Sequence, residues 1–370
     1  MMPANIKRIA VNTGGGDAPG LNAVIHAVVY AAEALGWEVY GVREGFEGLL
    51  APENYSDGGL VRLSRAAVRD IPHLGGTILG TTNRGNPLKY EVTQPDGSRR
   101  EVDRSDEVIQ RVREAGLEAL ICVGGDGTLT IALHLSRKGL AVVGVPKTID
   151  NDLQSTVATF GFDSAVSFAT ECIDRLHSTA ASHRRVMVVE VMGRYAGWIA
   201  LHAGIAGRAD AILIPEIPYD IQKVTQHIQK RTTGTQKYAI VVVAEGAKAV
   251  GGRHVLKAAA ETAHVERLGG IGERVAAELQ ELTGTETRAV VFGHLLRGGS
   301  PTSLDRLLGL NFGAAAVRAL AAGQTGVMVA LNPPRTEYVP LEQAVSKLKL
   351  VPLDGHAVLT ARALDIALGD

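Results

Sequence analysis

Residues 7–42 read KRIAVNTGGGDAPGLNAVIHAVVYAAEALGWEVYGV. A short β-branched run, KRIAVNT, breaks into a glycine-rich turn. LNAVIHAVVYAAEAL then sets apolar residues at helical spacing, and WEVYGV returns to strand character. Strand, helix and strand with apolar strands predict a parallel sheet covered on both faces. The rhythm recurs along the 370 residues: LEALICVGG, LAVVGVP, RRVMVVEV, ADAILIP, YAIVVVAEG, RAVVFGH and GVMVAL read as strands, and SAVSFATECIDRLHSTAASH as a helix. The predicted fold class is therefore α/β, with two doubly wound parallel-sheet domains of similar plan.

The sheet is expected to change near residue 160, before a long helix starting around Asp163. That assigns residues 1–160 with 295–345 to one domain and 161–294 with 346–370 to the other. KYEVTQPDGSRREVD, residues 89–103, alternates polar and apolar residues around a PDG turn, as an exposed inserted hairpin does.

Composition excludes several functions. Lys and Arg total 38 against 39 Asp and Glu, so no net basic field draws the chain to nucleic acid or to an anionic membrane. Aromatics, at 4%, are too sparse for a base-stacking platform. Cys122 and Cys172 both fall in apolar patterns and read as buried free thiols, which fits a reducing compartment. MMPANIKRIAVNT lacks the apolar region of a signal peptide, and no run is long enough to span a bilayer, so a cytoplasmic protein is expected.

Polar residues gather where strands end, which in open α/β sheets is where ligands bind. NTGGGDAPG, residues 12–20, opens a helix, so it is either a glycine turn capped by Asp17 or a backbone cradle for an anion. GGDGT, residues 124–128, repeats the pattern with a carboxylate inside: Gly124, Gly125 and Gly127 can turn N–H groups toward phosphates, and Asp126 can hold Mg²⁺ directly or through water. Two such loops on neighbouring strand ends favour phosphate binding over two capped turns. PKTIDND, residues 146–152, then sets Lys147, Thr148, Asp150 and Asp152 side by side. Beside a cradled phosphate Asp150 could take the proton of an attacking hydroxyl, Thr148 orient it, Asp152 help with metal or water, and Lys147 supply positive charge. Arg185 and Arg194 bracket VMVVEV, while Arg288, His294 and Arg297 bracket AVVFGHLL, and guanidinium forks suit phosphate oxygens. Glu245 is either a hydrogen-bond acceptor for sugar hydroxyls or a capping or salt-bridged Glu. No Ser/His/Asp or Cys/His set stands out, so no covalent nucleophile is called for.

Together TGGGDAPGLN, GGDGT, PKTIDND, SHRRVMVVEVMGRYAG and GHLLRGGSP resemble the bacterial-type 6-phosphofructokinase family from about residue 7 to about residue 345. The resemblance implies Rossmann-like domains with the active site in the cleft between them, the first binding the phosphoryl donor and the second fructose 6-phosphate. It implies Mg²⁺-dependent transfer of a phosphoryl group to the 1-hydroxyl of fructose 6-phosphate, a glycolytic step. Asp150 then corresponds to the base, with Thr148, Asp152 and Arg194 beside it. Gly15, Gly16, Arg84, Gly125, Asp126, Gly127, Thr128 and Lys147 correspond to donor contacts, Asp126 being linked to Mg²⁺. Thr148, Ile149, Asp150, Met192, Gly193, Arg194, Glu245, His294 and Arg297 correspond to sugar-phosphate contacts. Arg185 and Arg288 match arginines that reach the 6-phosphate across a subunit interface, implying a homotetramer or homodimer with shared active sites.

For the donor, Gly127 resembles the ATP users and Lys147 the pyrophosphate users. ATP is favoured, because a missing carboxylate admits ATP whereas a lysine attracts either donor; pyrophosphate is the alternative, and a non-catalytic sugar-phosphate sensor ranks below both. An NAD-kinase-like enzyme has GGDGT in its favour and PKTIDND with GHLLRGG against it. His26, Tyr30 and His177 stand where the family's effector-controlled members carry arginines, so weak or absent effector control is expected.

Overall fold

Strand alternation decides the layering. In β1 (Arg8–Thr13), Ile9 and Val11 enter one apolar cluster and Ala10 another, and all three are fully buried. The structure, a computed structural model, describes residues 6–83, 85–234, 236–252, 256–258 and 267–370. The chain divides into two compact units: Met1–Thr148 with Leu153–Gly161 and Arg297–Leu348, and Ile149–Asp152 with Phe162–Leu296 and Lys349–Asp370.

After β1 come β2 (Glu38–Val42), β3 (Leu60–Leu63), β4 (Tyr90–Thr93), β5 (Arg99–Val102), β6 (Ala119–Gly124) and β7 (Val142–Pro146). The second unit contributes β8 (Val186–Val191), β9 (Ala211–Leu213), β10 (Ala239–Ala244), β11 (Leu256–Ala258), β12 (Arg267–Leu268) and β13 (Thr287–Val291). The chain then returns to the first unit for β14 (Val327–Asn332) and β15 (Arg335–Pro340).

The first unit is built on a sheet ordered β15-β14-β7-β6-β1-β2-β3. Its inner strands are parallel, as expected, while both edges run antiparallel, β3 against β2 and β15 against β14. Helices Leu21–Glu33 and Ser303–Ala321 cover the face that carries Ile9, Ile121 and Val143. Helices Ser105–Glu114 and Asp126–Arg137 cover the face that carries Ala10, Leu120 and Val142. The inserted segment forms the expected hairpin, with Tyr90 of β4 opposite Val102 of β5.

In the second unit the order is β13-β8-β10-β9, all parallel. Helices Ile221–Thr233 and Ile271–Thr283 pack on one face, against Val188, Val241 and Leu213. Helices Phe162–His183 and Trp198–Ala206 also pack against these strands. β11 and β12 pair antiparallel with each other. Both sheets are thus doubly wound.

Cys122 is a buried free thiol, but Cys172 is free and only half-buried. Ile173 occupies the buried stripe of its helix, and the neighbouring position is turned about 100° away from it. Among the described residues no helix is long and apolar enough to cross a membrane.

One contact holds the first helix in place. Gly309 and Gly313 lie one turn apart on Ser303–Ala321 and let it approach Leu21–Glu33 so closely that a Cβ at Gly313 would stand 2.6 Å from the Val24 carbonyl oxygen. Neither backbone can retreat without opening the core around Phe312. Gly313→Val is expected to destabilise the fold by about 1–3 kcal/mol, read as a lower urea midpoint at unchanged slope.

Candidate active site

Three loops follow the carboxyl ends of β1, β6 and β7, which are neighbours in the sheet. The first is Gly14–Gly20. Gly14 N–H donates to the Val123 carbonyl at 2.9 Å, and a Cβ on Gly14 would meet Thr128 Oγ1 at 2.6 Å, so only glycine lets this loop lie against the next one. Gly15 takes φ 76°, its carbonyl accepting from Thr81 Oγ1 at 2.5 Å. Helix Leu21–Glu33 is capped by Gly20, without a side-chain cap, so Asp17 does not play the capping role that would have explained the turn away.

The second loop, Gly124–Thr128, opens helix Asp126–Arg137. Its cap is Gly125, again with no side-chain bond, and Asp126 is the first helical residue. Both helix starts therefore lie without side-chain caps at the same end of the sheet, where the helix dipole favours an anion. Gly127 is exposed, and a Cβ placed on it would meet nothing within 4 Å.

The third loop supplies charge. Lys147 is buried, at 3% exposure; its N–H donates to the Gly124 carbonyl at 2.9 Å and its ammonium donates to the Gly16 carbonyl. Arg297, from the chain's return to this unit, donates from Nη1 to the Asp17 carbonyl at 3.1 Å. A Cβ on Gly16 would lie 2.8 Å from that guanidinium. Gly15, Gly16, Gly125, Thr128, Lys147 and Arg297 thus form one cluster, with two cations against glycine backbone. Thr148 belongs to this unit, and its carbonyl accepts from Thr159 Oγ1 at 2.7 Å. Arg84 lies outside the described residues.

The next residues, Ile149–Asp152, belong to the second unit. Ile149 is buried, Asp150 and Asp152 are half-buried, and Asn151 between them takes φ 50°. Lys349 secures them: its ammonium donates to Asn151 Oδ1 at 2.9 Å and its N–H to the Asp152 carbonyl at 2.8 Å. Sequence reading missed Lys349 because it lies 198 residues from Asn151 and in no motif.

At the carboxyl ends of β8 and β10, Glu245 N–H donates to the Val191 carbonyl at 2.9 Å and Gly246 N–H to the Gly193 carbonyl at 3.1 Å. Met192, Gly193, Arg194 and Glu245 are brought together by these bonds. The Arg194 guanidinium stands 5.2 Å from the Tyr195 ring centroid. His294 is exposed just past β13, the strand beside β8.

Arg185 and Arg288 do not join this group. Arg185 precedes β8, and Arg288 pairs with Met187 at the beginning of that strand, so both stand at the amino ends of the strands, about 20 Å from the Met192–Arg194 loop. They share one carboxylate: Glu286 accepts from Arg185 Nε at 2.7 Å and from Arg288 Nη2 at 2.6 Å. The hydrogen bond from Arg185 holds the Glu286 carboxyl below its ordinary range. Glu286, two residues from Arg288, was another omission of the sequence reading.

A family model described as phosphofructokinase matches residues 8–320. The chain belongs to the phosphofructokinase family. A relative from Chloroflexus aurantiacus, named ATP-dependent 6-phosphofructokinase, is 51% identical over 100% of this chain and 99% of its own. One from Amycolatopsis methanolica, named pyrophosphate-fructose 6-phosphate 1-phosphotransferase, is 49% identical over 93% of this chain and 96% of its own. The crystal structure of Pichia pastoris phosphofructokinase in the T-state matches with a TM-score of 0.79 at 30% identity, over 98% of this chain. This chain spans 37% of the length of that one.

Lys349 also has a measurable titration. Burial pushes its ammonium from the ordinary 10.5 down to about 8, the Asp152 carboxylate opposing part of the fall. Below pH 8 the folded and unfolded chains are both protonated and the penalty stands in full; between about 8 and 10.5 only the folded chain has released the proton, so stability rises with pH. Lys349→Met removes this dependence. Relative to the parent, the variant's stability by urea unfolding is expected to be greatest below pH 8 and to decline toward pH 10.5.

Proposed function

We propose that this protein is an ATP-dependent 6-phosphofructokinase, moving the γ-phosphoryl group of ATP to the 1-hydroxyl of fructose 6-phosphate. The observation that carries it is the paired glycine loop: two helix starts without side-chain caps on adjoining strand ends, with Lys147 and Arg297 laid against the loop backbone. Such a surface fits a chain of phosphates. In this reading the first unit takes the donor and the second the sugar phosphate.

Asp126 fits Mg²⁺. It is one half-buried carboxylate at a helix start beside an open glycine, and Mg²⁺ is usually held by one or two carboxylates together with substrate phosphates and water. Bound there, the ion would offset negative charge on the donor phosphates. Among this chain's own groups, Asp150 accepts the proton as the sugar O1–H bond breaks and the new O–P bond forms, and ADP departs as the old P–O bond breaks. Thr148 and Asp152 orient the hydroxyl and its water. Arg194, Lys147 and the loop N–H groups balance charge on the transferring group. Met192, Gly193, Glu245 and His294 hold the sugar phosphate, while Arg297, expected from the sequence to join them, is read on the donor side because it bonds the Asp17 carbonyl.

Arg185 and Arg288 serve the active site of a second copy. Their place at the opposite strand ends from Arg194 supports this, since one sugar phosphate does not span about 20 Å. A homotetramer, or a homodimer with shared sites, follows. A cytoplasmic setting fits the free cysteines.

Pyrophosphate as donor is favoured only by Lys147. The deciding experiment supplies Mg²⁺ and fructose 6-phosphate with ATP or pyrophosphate separately and follows fructose 1,6-bisphosphate. Turnover with ATP is expected; turnover with pyrophosphate alone would overturn the donor assignment, and turnover with neither would restore the sensor. Gly127→Asp should fold normally, because the added atoms meet open space, yet lower kcat/KM for ATP by about a hundredfold through like-charge repulsion. Asp150→Ser is expected to lower kcat by about 10²–10⁴-fold while fructose 6-phosphate still binds.

Effector control through the family's site is weak or absent. His26 bonds the Val68 carbonyl at 2.8 Å and stacks on Tyr30, and His177 bonds the Gly207 carbonyl at 2.7 Å and the Tyr238 hydroxyl at 3.3 Å. Phosphoenolpyruvate titrated at low fructose 6-phosphate is expected to leave the saturation curve hyperbolic; strong sigmoidicity would refute this.

A further inference from the structure

The loop that carries Asp150 depends on a support from the end of the chain. Asn151 sits at φ 50°, a conformation uncommon for residues other than glycine although Asn tolerates it best. Lys349 reaches the loop twice, through the ammonium to Asn151 Oδ1 and through its N–H to the Asp152 carbonyl. The same residue is anchored behind. Its carbonyl accepts from Trp198 Nε1 at 2.8 Å, and its ammonium stands 5.8 Å from the Trp198 ring centroid. Two residues on, Val351 N–H donates to Glu216 Oε1 at 2.9 Å, and the same oxygen accepts from Gly197 N–H at 3.0 Å. Gly197 caps helix Trp198–Ala206, which starts just after Arg194.

Residues 349–351 therefore form a strap within the second unit. One end holds the Ile149–Asp152 loop; the other holds the helix start behind Met192–Arg194. An apolar residue at 349 would fill the space without burying a charge, so the ammonium is not explained by packing. Burial lowers the proton affinity of Lys349, and His202 nearby is held below its ordinary value, first by its own burial and then by the Lys349 charge.

We propose that Lys349 is a positioning residue for phosphoryl transfer: by bonding Asn151 and the Asp152 backbone it fixes the direction in which Asp150 presents its carboxylate. This rests on Asp150 being the base. Lys349 acts on the reaction only through the loop, so its loss lowers the rate of the chemical step and leaves substrate affinity in place.

The test compares the full-length parent with Lys349→Met, Asn151→Gly, the double variant, Lys349→Arg and Asp150→Ser, using fructose 6-phosphate and whichever donor the parent accepts. Asn151→Gly permits the positive φ and removes the side-chain amide that accepts from Lys349. Each of the first two is expected to lower kcat about tenfold with KM changed less than about twofold, and the double variant to lose no more than the worse single one. Lys349→Arg, which keeps a cationic donor, is expected to recover at least about a third of the parent kcat. Thermal melting checks that each variant is folded; if Lys349→Met is not, Asn151→Gly and Lys349→Arg carry the comparison. Parent kcat in Lys349→Met or Asn151→Gly beside an inactive Asp150→Ser overturns the positioning role alone. Losses that multiply in the double variant, or that fall only on KM, do the same. A parent inactive with both donors, or Asp150→Ser with the parent's kcat, overturns the base assignment and this role with it.

Discussion

Close approach of backbone to backbone at the carboxyl ends of β1, β6 and β7 is the constraint on which the first unit's site depends. Gly14 N–H reaches the Val123 carbonyl, Lys147 N–H reaches the Gly124 carbonyl, and the Lys147 ammonium reaches the Gly16 carbonyl. No Cβ can be accommodated at Gly14 or Gly124 without displacing Thr128. Three loops from separate strands are thereby tied together through their backbones, with the Lys147 cation among them. Loops that stood apart would each offer a weak anion site; sharing hydrogen bonds, they are fixed in advance, as the proposed binding of a chain of phosphates requires. The small residues at Gly14 and Gly124 are required by this packing, because a side chain there would force Thr128 aside.

A second constraint follows from the division of the chain. PKTIDND is one motif in sequence, yet Lys147 and Thr148 belong to the first unit and Asp150 and Asp152 to the second. The peptide that carries Lys147 to the glycine loops continues directly into the peptide that carries Asp150, the base of the proposed reaction. Each half is held by its own unit: Lys147 by Gly124 and Gly16, Asn151 and Asp152 by Lys349. Lys349 does this against a desolvation penalty, since burial disfavours its charged form. Groups kept against the interest of stability tend to be kept for function.

Much of this could be read before any coordinates. All nine runs read as strands are strands, because residues buried on both faces leave a β-branched signature that survives without context. The antiparallel edges β3 and β15 escaped notice: LVRL is short, and RTEYVP is half polar because an edge strand is only partly covered. The two turns for which a capping Asp was the alternative to phosphate binding lack side-chain caps, a distinction that needs the rotamer and not the residue type. That Arg185 and Arg194 fall at opposite ends of a strand was already plain from the six residues of β8 between them. Lys349 and Glu286 were invisible for a different reason: each acts through a partner, and pairing across the fold is a tertiary fact that no local pattern encodes.

The donor question shows how fold and specificity separate. The ATP-named and pyrophosphate-named relatives differ by 2% in identity to this chain, 51% against 49%, so overall similarity carries almost no information about the donor. Local physics carries more. Lys147 is anchored by backbone bonds, and in the proposed reading its attraction acts on any phosphate, so it would permit both donors and exclude neither. A carboxylate at position 127 would act by exclusion, and exclusion is the stronger device for telling ligands apart. Because nothing lies within 4 Å of a Cβ at Gly127, a side chain could be gained or lost there without repacking any neighbour. Gly127 is thus structurally free, and in the proposed reading the choice of donor turns on whether a carboxylate stands there; none does.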